Sequence, residues 1–177
     1  DVTNEGGVFT TRTLPKDDPK SKQLCELNWK VLQAFGLVWG VSHSEFIVAS
    51  NGTPYFLETS ARVGGANIAE LVEAATGVNL WCEWAKVEIA GESGVYAPPT
   101  PKHDGAGLLI SLARQEWPST EEFKDPEIVW RMQKPWHIGM IVRSPRYDRV
   151  DQLLQEYSQR VQKMYMAFQP PPERPIH

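Results

Sequence analysis

Two glutamates, Glu45 and Glu58, sit in the two arms of the stretch SEFIVASNGTPYFLETSAR. Asn-Gly between strand-forming residues is a strong hairpin signal. A two-residue loop at Asn51-Gly52 puts Ser50 opposite Thr53 and carries Glu45 directly opposite Glu58, on one sheet face with Cβ atoms ~4.5–5.5 Å apart. Two full charges at that distance repel by about 3 kcal/mol at an effective dielectric near 20. A shared proton, splaying into solvent, a nearby Arg or Lys, or a divalent cation each offset that repulsion. The last turns it into ligation, because Mg²⁺ takes carboxylate oxygens together with substrate phosphates. In this register His43 faces Ser60 and Ile47 faces Phe56, so the face runs from apolar to His, Ser and Glu. That gradient reads as the edge of a site, and an exposed polar sheet end has the same letters. A three-residue loop with a bulge would instead shift the register by one and send the glutamates to opposite faces.

The residues after the second arm suit an anion. Arg62 supplies a bidentate donor for carboxylate or phosphate. Gly64-Gly65 lets the backbone approach a ligand, and the following helix, with Asn67 as its cap, aims unpaired N–H groups at the same region. Carboxylates for a cation followed closely by donors for an anion is the pairing that phosphoryl transfer needs. A glycine pair before a helix is commonly only a turn, and a lone arginine only a surface charge. Their order and compactness carry the signal.

The elements that position these residues follow from periodicity and punctuation. Asn4 to Leu14 reads as a hairpin turning at Gly6-Gly7, then LPKDDPK as a loop. Ser21 caps a helix whose Leu24, Leu27, Val31, Leu32 and Phe35 share one face and which stops at Gly36. Beyond the glutamate hairpin, a second helix carries Ile68, Leu71, Val72 and Ala75 on one face and stops at Gly77; Asn79 caps a third through Trp81, Trp84 and Ile89. YAPPTPKHDG is the linker-like segment. Strands are expected over 107–114, 128–132 and 136–143, then a helix over 149–166 burying Val150, Leu153, Leu154, Tyr157, Val161 and Met164. The QPPPERPIH tail is expected to be loosely ordered. The expected division is a subdomain over 1–95 and a C-terminal extension over 96–177, packed on the same core.

The chain of 177 residues has 41% hydrophobic and 23% charged residues and a net charge of −4, which is ordinary for a soluble globular protein. Its basic residues are scattered, which leaves no footprint for nucleic acid or an anionic membrane. No apolar run is long enough to span a bilayer and no secretory leader is visible, so the expectation is a cytoplasmic protein. Two cysteines, Cys25 and Cys82, make neither a disulfide framework nor a zinc site and are expected as reduced, partly buried thiols. The chain begins at Asp1 without a methionine, inside what already reads as strand and turn, and is expected to be a piece of a longer polypeptide.

At VSHSEF and YFLETSARVGGANIAELVEAATGVNL the chain resembles the C-terminal, metal-binding half of the ATP-grasp superfamily, whose pattern is a glutamate on one strand, a turn, then E-x-N-x-R and a glycine loop leading into a helix that ends in Thr-Gly. The resemblance covers Val8 to Glu92 and is closest to the carboxylate–amine ligase branch; beyond Gly105 it is softer. It implies an α+β fold with a mostly antiparallel sheet backed by helices, and ATP and Mg²⁺ as cofactors. It implies Glu45 and Glu58 as metal ligands, joined by Ser60 where the family has asparagine. Arg62 would be the catalytic residue holding an acyl-phosphate or the substrate carboxylate, and His43, Gly64, Gly65 and Asn67 would line the substrate or phosphate site. The family's phosphate-gripping lysines belong to a preceding subdomain that this chain lacks. The implied reaction joins a small carboxylate to an amine through an acyl-phosphate, and a homodimer is allowed. Two alternatives stand beside it: a biotin-carboxylase-like lobe, disfavoured because VGGAN lacks further charged residues after the arginine, and a non-catalytic interaction module, which the serine at position 60 keeps open.

Overall fold

The computed structural model describes residues 7–91 and 94–166. The fold is α+β, and every strand ladder in it is antiparallel. The chain forms two compact units, one of residues 1–13 with 104–177 and the other of residues 14–103. This differs from the division expected at residue 95, because β1 (Phe9–Arg12) pairs with β4 (Gly105–Leu112), placing Thr10 opposite Leu109. The expected N-terminal hairpin is replaced by this long-range ladder as far as the described residues go; Asn4 to Gly6 and the proline-rich tail lie outside them.

In the first unit the sheet order is β1-β4-β6-β5, with β5 spanning Ile128–Arg131 and β6 His137–Ser144. The helix α4 (Tyr147–Met164) lays Val150, Leu153, Leu154, Tyr157 and Val161 against Leu109, Ala113, Ile138, Met140 and Val142 of this sheet. It starts two residues earlier than its periodicity predicts and stops two earlier, since Met166 forms a β-bridge with Ala113. Gly107 permits the close approach: a Cβ there would lie 2.7 Å from Leu154 Cδ1 and 2.8 Å from Val150 Cγ1, inside contact distance.

The irregular segment between β4 and β5 is held to α4 by charge and one aromatic anchor. Phe123 is fully buried, packs edge-on against Tyr157 at 4.8 Å between ring centres, and carries the Arg160 guanidinium 4.3 Å over its face. Arg149 binds Asp125 at 2.7 Å and Glu127 at 2.9 Å, and the Tyr157 hydroxyl donates to Asp125. Such a network is costly to break singly, because each partner left behind is desolvated and unpaired.

The second unit has less buried core. α1 (Pro19–Ala34) has no fully buried residue. Its cap is Asp18, whose carboxylate accepts from Lys20 N–H at 2.7 Å, rather than the expected Ser21. Pro19 explains the shift: it has no N–H to satisfy and its fixed φ suits the first helical position, so the cap falls on the residue before it. α2 (Ile68–Thr76) buries Ala69, Leu71 and Ala75, and α3 (Leu80–Ala90) is capped as expected by Asn79, whose side-chain oxygen accepts from Cys82 N–H at 3.0 Å. Glu83 on α3 takes the Tyr96 hydroxyl at 2.8 Å and Lys86 at 2.7 Å, which ties the proline-rich segment to the helix. Cys25 and Cys82 are free and exposed, against the expected partial burial. Among the described residues no helix is long and apolar enough to cross a membrane.

Asp125 titrates below the ordinary carboxylate range, chiefly because Tyr157 donates to it and secondarily because Arg149 does. A depressed folded-state value gives stability that is present at neutral pH and lost as pH falls through that value, below about 4. Asp125→Asn should therefore cost about 1–3 kcal/mol at pH 7 and lose less stability than wild type between neutral and strongly acid pH. Urea unfolding along that series checks it; parallel pH curves would contradict it.

Candidate functional site

The site is built on the hairpin of β2 (His43–Val48) and β3 (Pro54–Ser60). Glu45 stands opposite Glu58, as the sequence predicts, but by another route. The loop is not the expected two-residue turn. Gly52 N–H donates to Ala49 O at 2.9 Å and Ala49 N–H to Thr53 O at 2.9 Å, so Ser50, Asn51 and Gly52 form a three-residue loop with Gly52 at φ 84°. Asn51 keeps a negative φ, which excludes the mirror-image turn that a two-residue Asn-Gly loop needs. Its side-chain oxygen instead accepts from Thr53 N–H at 3.0 Å.

This loop sets Val48 opposite Pro54, Ile47 opposite Tyr55 and Phe46 opposite Phe56, one step off the expected register, so Ile47 faces Tyr55 rather than Phe56. A bulge then makes Leu57 the extra residue, and the ladder resumes with Glu45 opposite Glu58, Ser44 opposite Thr59 and His43 opposite Ser60. Two one-residue shifts cancel, so a three-residue loop with a bulge keeps the glutamates on one face, against the expectation that it would send them to opposite faces. A bulge commonly re-aims a side chain beside a functional site, and here it returns Glu58 to the face of Glu45.

One face therefore carries His43 and Ser60, then the glutamates, then Ile47 and Tyr55. Ile47, Tyr55 and Leu57 are each more than half exposed, so an apolar surface adjoins the acidic pair. The opposite face is locked by a Ser44–Thr59 hydroxyl bond of 2.8 Å and by Phe46 packed edge-on against Phe56 at 5.7 Å. Phe35 at the end of α1 stands 6.2 Å from Phe56, and with Leu32 and Leu37 these rings line a cavity of about 510 Å³ whose edge reaches Glu58. Ile47 is on this face as the sequence predicts, whereas Tyr55 and Leu57 escape the sequence because the loop and the bulge, which has no sequence signature, determine their placement.

Glu45 has the His43 imidazole as neighbour, Nδ1 to Oε1 3.9 Å, and the Glu58 carboxylate has no ion pair or hydrogen bond among the described residues. Nor do these residues contain a cluster of three or more His, Cys, Asp or Glu able to hold a metal ion. A cation held by the glutamate pair needs further oxygens from elsewhere. That donor set fits Mg²⁺, which commonly uses one or two carboxylates and completes its shell with water and substrate phosphate.

The loop after β3 brings the other predicted residues to the same end of the hairpin. Arg62 is exposed and bends back so that Nη1 donates to Val63 O at 3.0 Å. Val63 is buried and anchors the turn. Ile68 N–H closes a turn on Gly65 O at 3.0 Å, with Ala66 at φ 50° and Asn67 at φ 62°. A left-handed alanine costs about 1–2 kcal/mol, whereas asparagine tolerates that region. Asn67 occupies the cap position of α2, but its side chain makes no capping bond, in contrast to the expected role. The two glycines also differ. Gly64 is buried under His43 and Ile68, so its Cα has no room beside it for a ligand, which corrects the expected open approach there. Gly65 is exposed, and a Cβ there would meet only Arg62 Nη1 at 3.9 Å.

This contrast predicts that Gly64→Ala destabilises the chain by about 1–3 kcal/mol through overpacking, whereas Gly65→Ala stays within about 0.5 kcal/mol. Chemical denaturation of both variants tests it; equal effects would contradict the assigned contacts.

The sequence matches no protein-family model and no curated protein. Solved structures share its fold. An L-amino acid ligase from Bacillus licheniformis aligns over 92% of this chain and 44% of its own, with a TM-score of 0.67 at 17% identity. A phosphoribosylglycinamide synthetase from Anaerococcus prevotii aligns over 93% and 45%, at 0.62 and 16%. A biotin carboxylase from Campylobacter jejuni, crystallised as a β,γ-ATP complex, aligns over 90% and 39%, at 0.56 and 14%. The chain spans less than half the length of each of these structures. All three neighbours are ATP-grasp enzymes, and the chain has an ATP-grasp fold.

Proposed function

We propose that this chain is the metal-side lobe of an ATP-dependent carboxylate–amine ligase. In the reaction a substrate carboxylate oxygen takes the terminal phosphoryl group of ATP, giving an acyl-phosphate and ADP. The amine nitrogen then attacks the acyl carbon, the C–O bond to phosphate breaks, and the amine proton passes to solvent. The observation that carries this reading is the opposition of Glu45 and Glu58 at the end of the hairpin from which Arg62 emerges. The likeness in fold to an L-amino acid ligase and a phosphoribosylglycinamide synthetase supports the same reaction class.

Glu45 and Glu58, with Ser60 as a weaker oxygen, are the residues that would hold Mg²⁺, and the cation would neutralise charge on the ATP phosphates. The chain's own part is positioning. Arg62 has guanidinium donors beyond the one given to Val63, and these suit a carboxylate or transferred phosphoryl group approached in a fork. The exposed backbone at Gly65 and the cap position at Asn67 lie beside it. Ile47 and Leu57 offer apolar surface next to the carboxylates for the nucleobase. Lysines that grip the phosphates would come from a preceding lobe of the same polypeptide.

In the intact polypeptide, Glu58→Gln should reduce turnover at saturating Mg²⁺ by more than about tenfold, roughly 1.4 kcal/mol in barrier. The metal-free fold should be unchanged or slightly stabilised, because one of two opposed charges is gone. A smaller loss of turnover would remove Glu58 as a principal ligand. The 177-residue chain by itself should bind MgATP more weakly than low micromolar. Titration calorimetry giving about −8 kcal/mol or better would place a complete nucleotide site within these residues and contradict the assignment to one lobe.

A further inference from the structure

His43 touches both halves of the site. Its ring is half-buried, with a quarter of the side chain exposed. On one side, Cδ2 lies 2.9 Å from the point a Cβ on Gly64 would occupy. On the other, Nδ1 faces Glu45 Oε1 at 3.9 Å. Nδ1 and Cδ2 flank the atom that joins the ring to the chain, so the imidazole spans the gap between the carboxylate and the loop that carries Arg62. Its backbone is pinned opposite Ser60, two rungs from the glutamate pair.

The glycine on the far side is matched to this ring. Gly64 does not have a positive φ, so its backbone conformation is open to any residue. Space makes the demand instead: His43 Cδ2 at 2.9 Å, Ile68 Cγ2 at 3.1 Å and Ile68 Cβ at 3.2 Å would all meet a side chain there. Contacts below 3.0 Å force something to move. The movable neighbour is the imidazole, whose other edge faces Glu45, so crowding at Gly64 is passed to the carboxylate through one rigid ring.

We propose that His43 is a positioning residue for the metal carboxylates: wedged between Gly64 and Glu45, it sets the spacing between the Glu45–Glu58 pair and the Arg62 loop. The inference rests on the reading of that pair as cation ligands. It assigns His43 no contact with substrate or phosphate and no proton transfer. Residues that orient a metal ligand from behind commonly cost about ten- to a hundredfold in metal affinity when removed.

The test uses the intact polypeptide with Mn²⁺ as the probe and a non-hydrolysable ATP analogue, read by electron paramagnetic resonance, with thermal melts in parallel. His43→Ala should weaken Mn²⁺ affinity by about tenfold and change the spectrum of the bound ion. Gly64→Ala should weaken it at least as much, by displacing the ring. Adding His43→Ala to Gly64→Ala should restore affinity to that of His43→Ala alone, because the vacated space admits the new methyl group. Unchanged affinity and spectrum in folded His43→Ala, or losses that multiply in the double variant, would overturn the positioning role. Should Gly64→Ala fail to fold, His43→Ala and the double variant decide the matter by themselves. Glu58→Gln separates the two levels: if it leaves Mn²⁺ affinity intact, the cation reading falls and the positioning role with it, whereas if it abolishes binding while the His43 variants bind normally, only the positioning role falls.

Discussion

The repulsion between two facing carboxylates is the constraint around which the candidate site is organised. Two full charges about 5 Å apart repel by about 1 kcal/mol in water and about 3 kcal/mol at an effective dielectric of 20. The exposure of the pair places the effect toward the lower value, which the hairpin tolerates. The Ser44–Thr59 bond and the Phe46–Phe56 contact hold the strands together from the other face. What the chain does not supply is a close cation for Glu58 among its described residues. Arg62 is near in sequence, yet its guanidinium turns back to Val63. The unmet demand for positive charge is a physical reason for expecting a ligand at this place.

The hairpin shows how a correct inference can rest on an incorrect step. Twelve residues separate the glutamates, an even number that lets them face each other through a two-residue loop without a bulge or a three-residue loop with one. The pattern of residue types favours the first, and the structure takes the second, because Asn51 is used as a side-chain acceptor instead of adopting the left-handed geometry. The parity was legible in the sequence; the division between loop and bulge was not. The shift changes which apolar residues adjoin the acidic pair, giving Tyr55 the place expected for Phe56 and bringing out Leu57.

Elsewhere, local signals were legible where local chemistry decides. Asn79 caps α3, Gly77 ends α2, and the apolar stripe of α4 is buried as its spacing requires as far as Val161, whereas Met164, expected with it, is exposed in the last turn. Signals failed where a tertiary contact or a neighbouring residue overrides them. Phe9–Arg12 pairs across almost a hundred residues of sequence with β4, which nothing local announces. Asp18 displaces Ser21 because of Pro19, and Asn67 sits at a cap position without capping because its left-handed backbone serves the preceding turn. The glycine pair read as a single flexible feature divides into a packing glycine at 64 and an exposed one at 65. Only the position of the His43 ring, which sequence does not give, tells them apart.

Under the proposed function, Glu45 and Glu58 bind one cation together. Carbon-13 NMR of the glutamate side-chain carboxyl groups in the intact polypeptide, followed through a Mg²⁺ titration with nucleotide present, addresses it most directly. Both carboxyl signals are expected to move along a single binding curve. Movement of one without the other, or of neither at Mg²⁺ concentrations that saturate turnover, would contradict it.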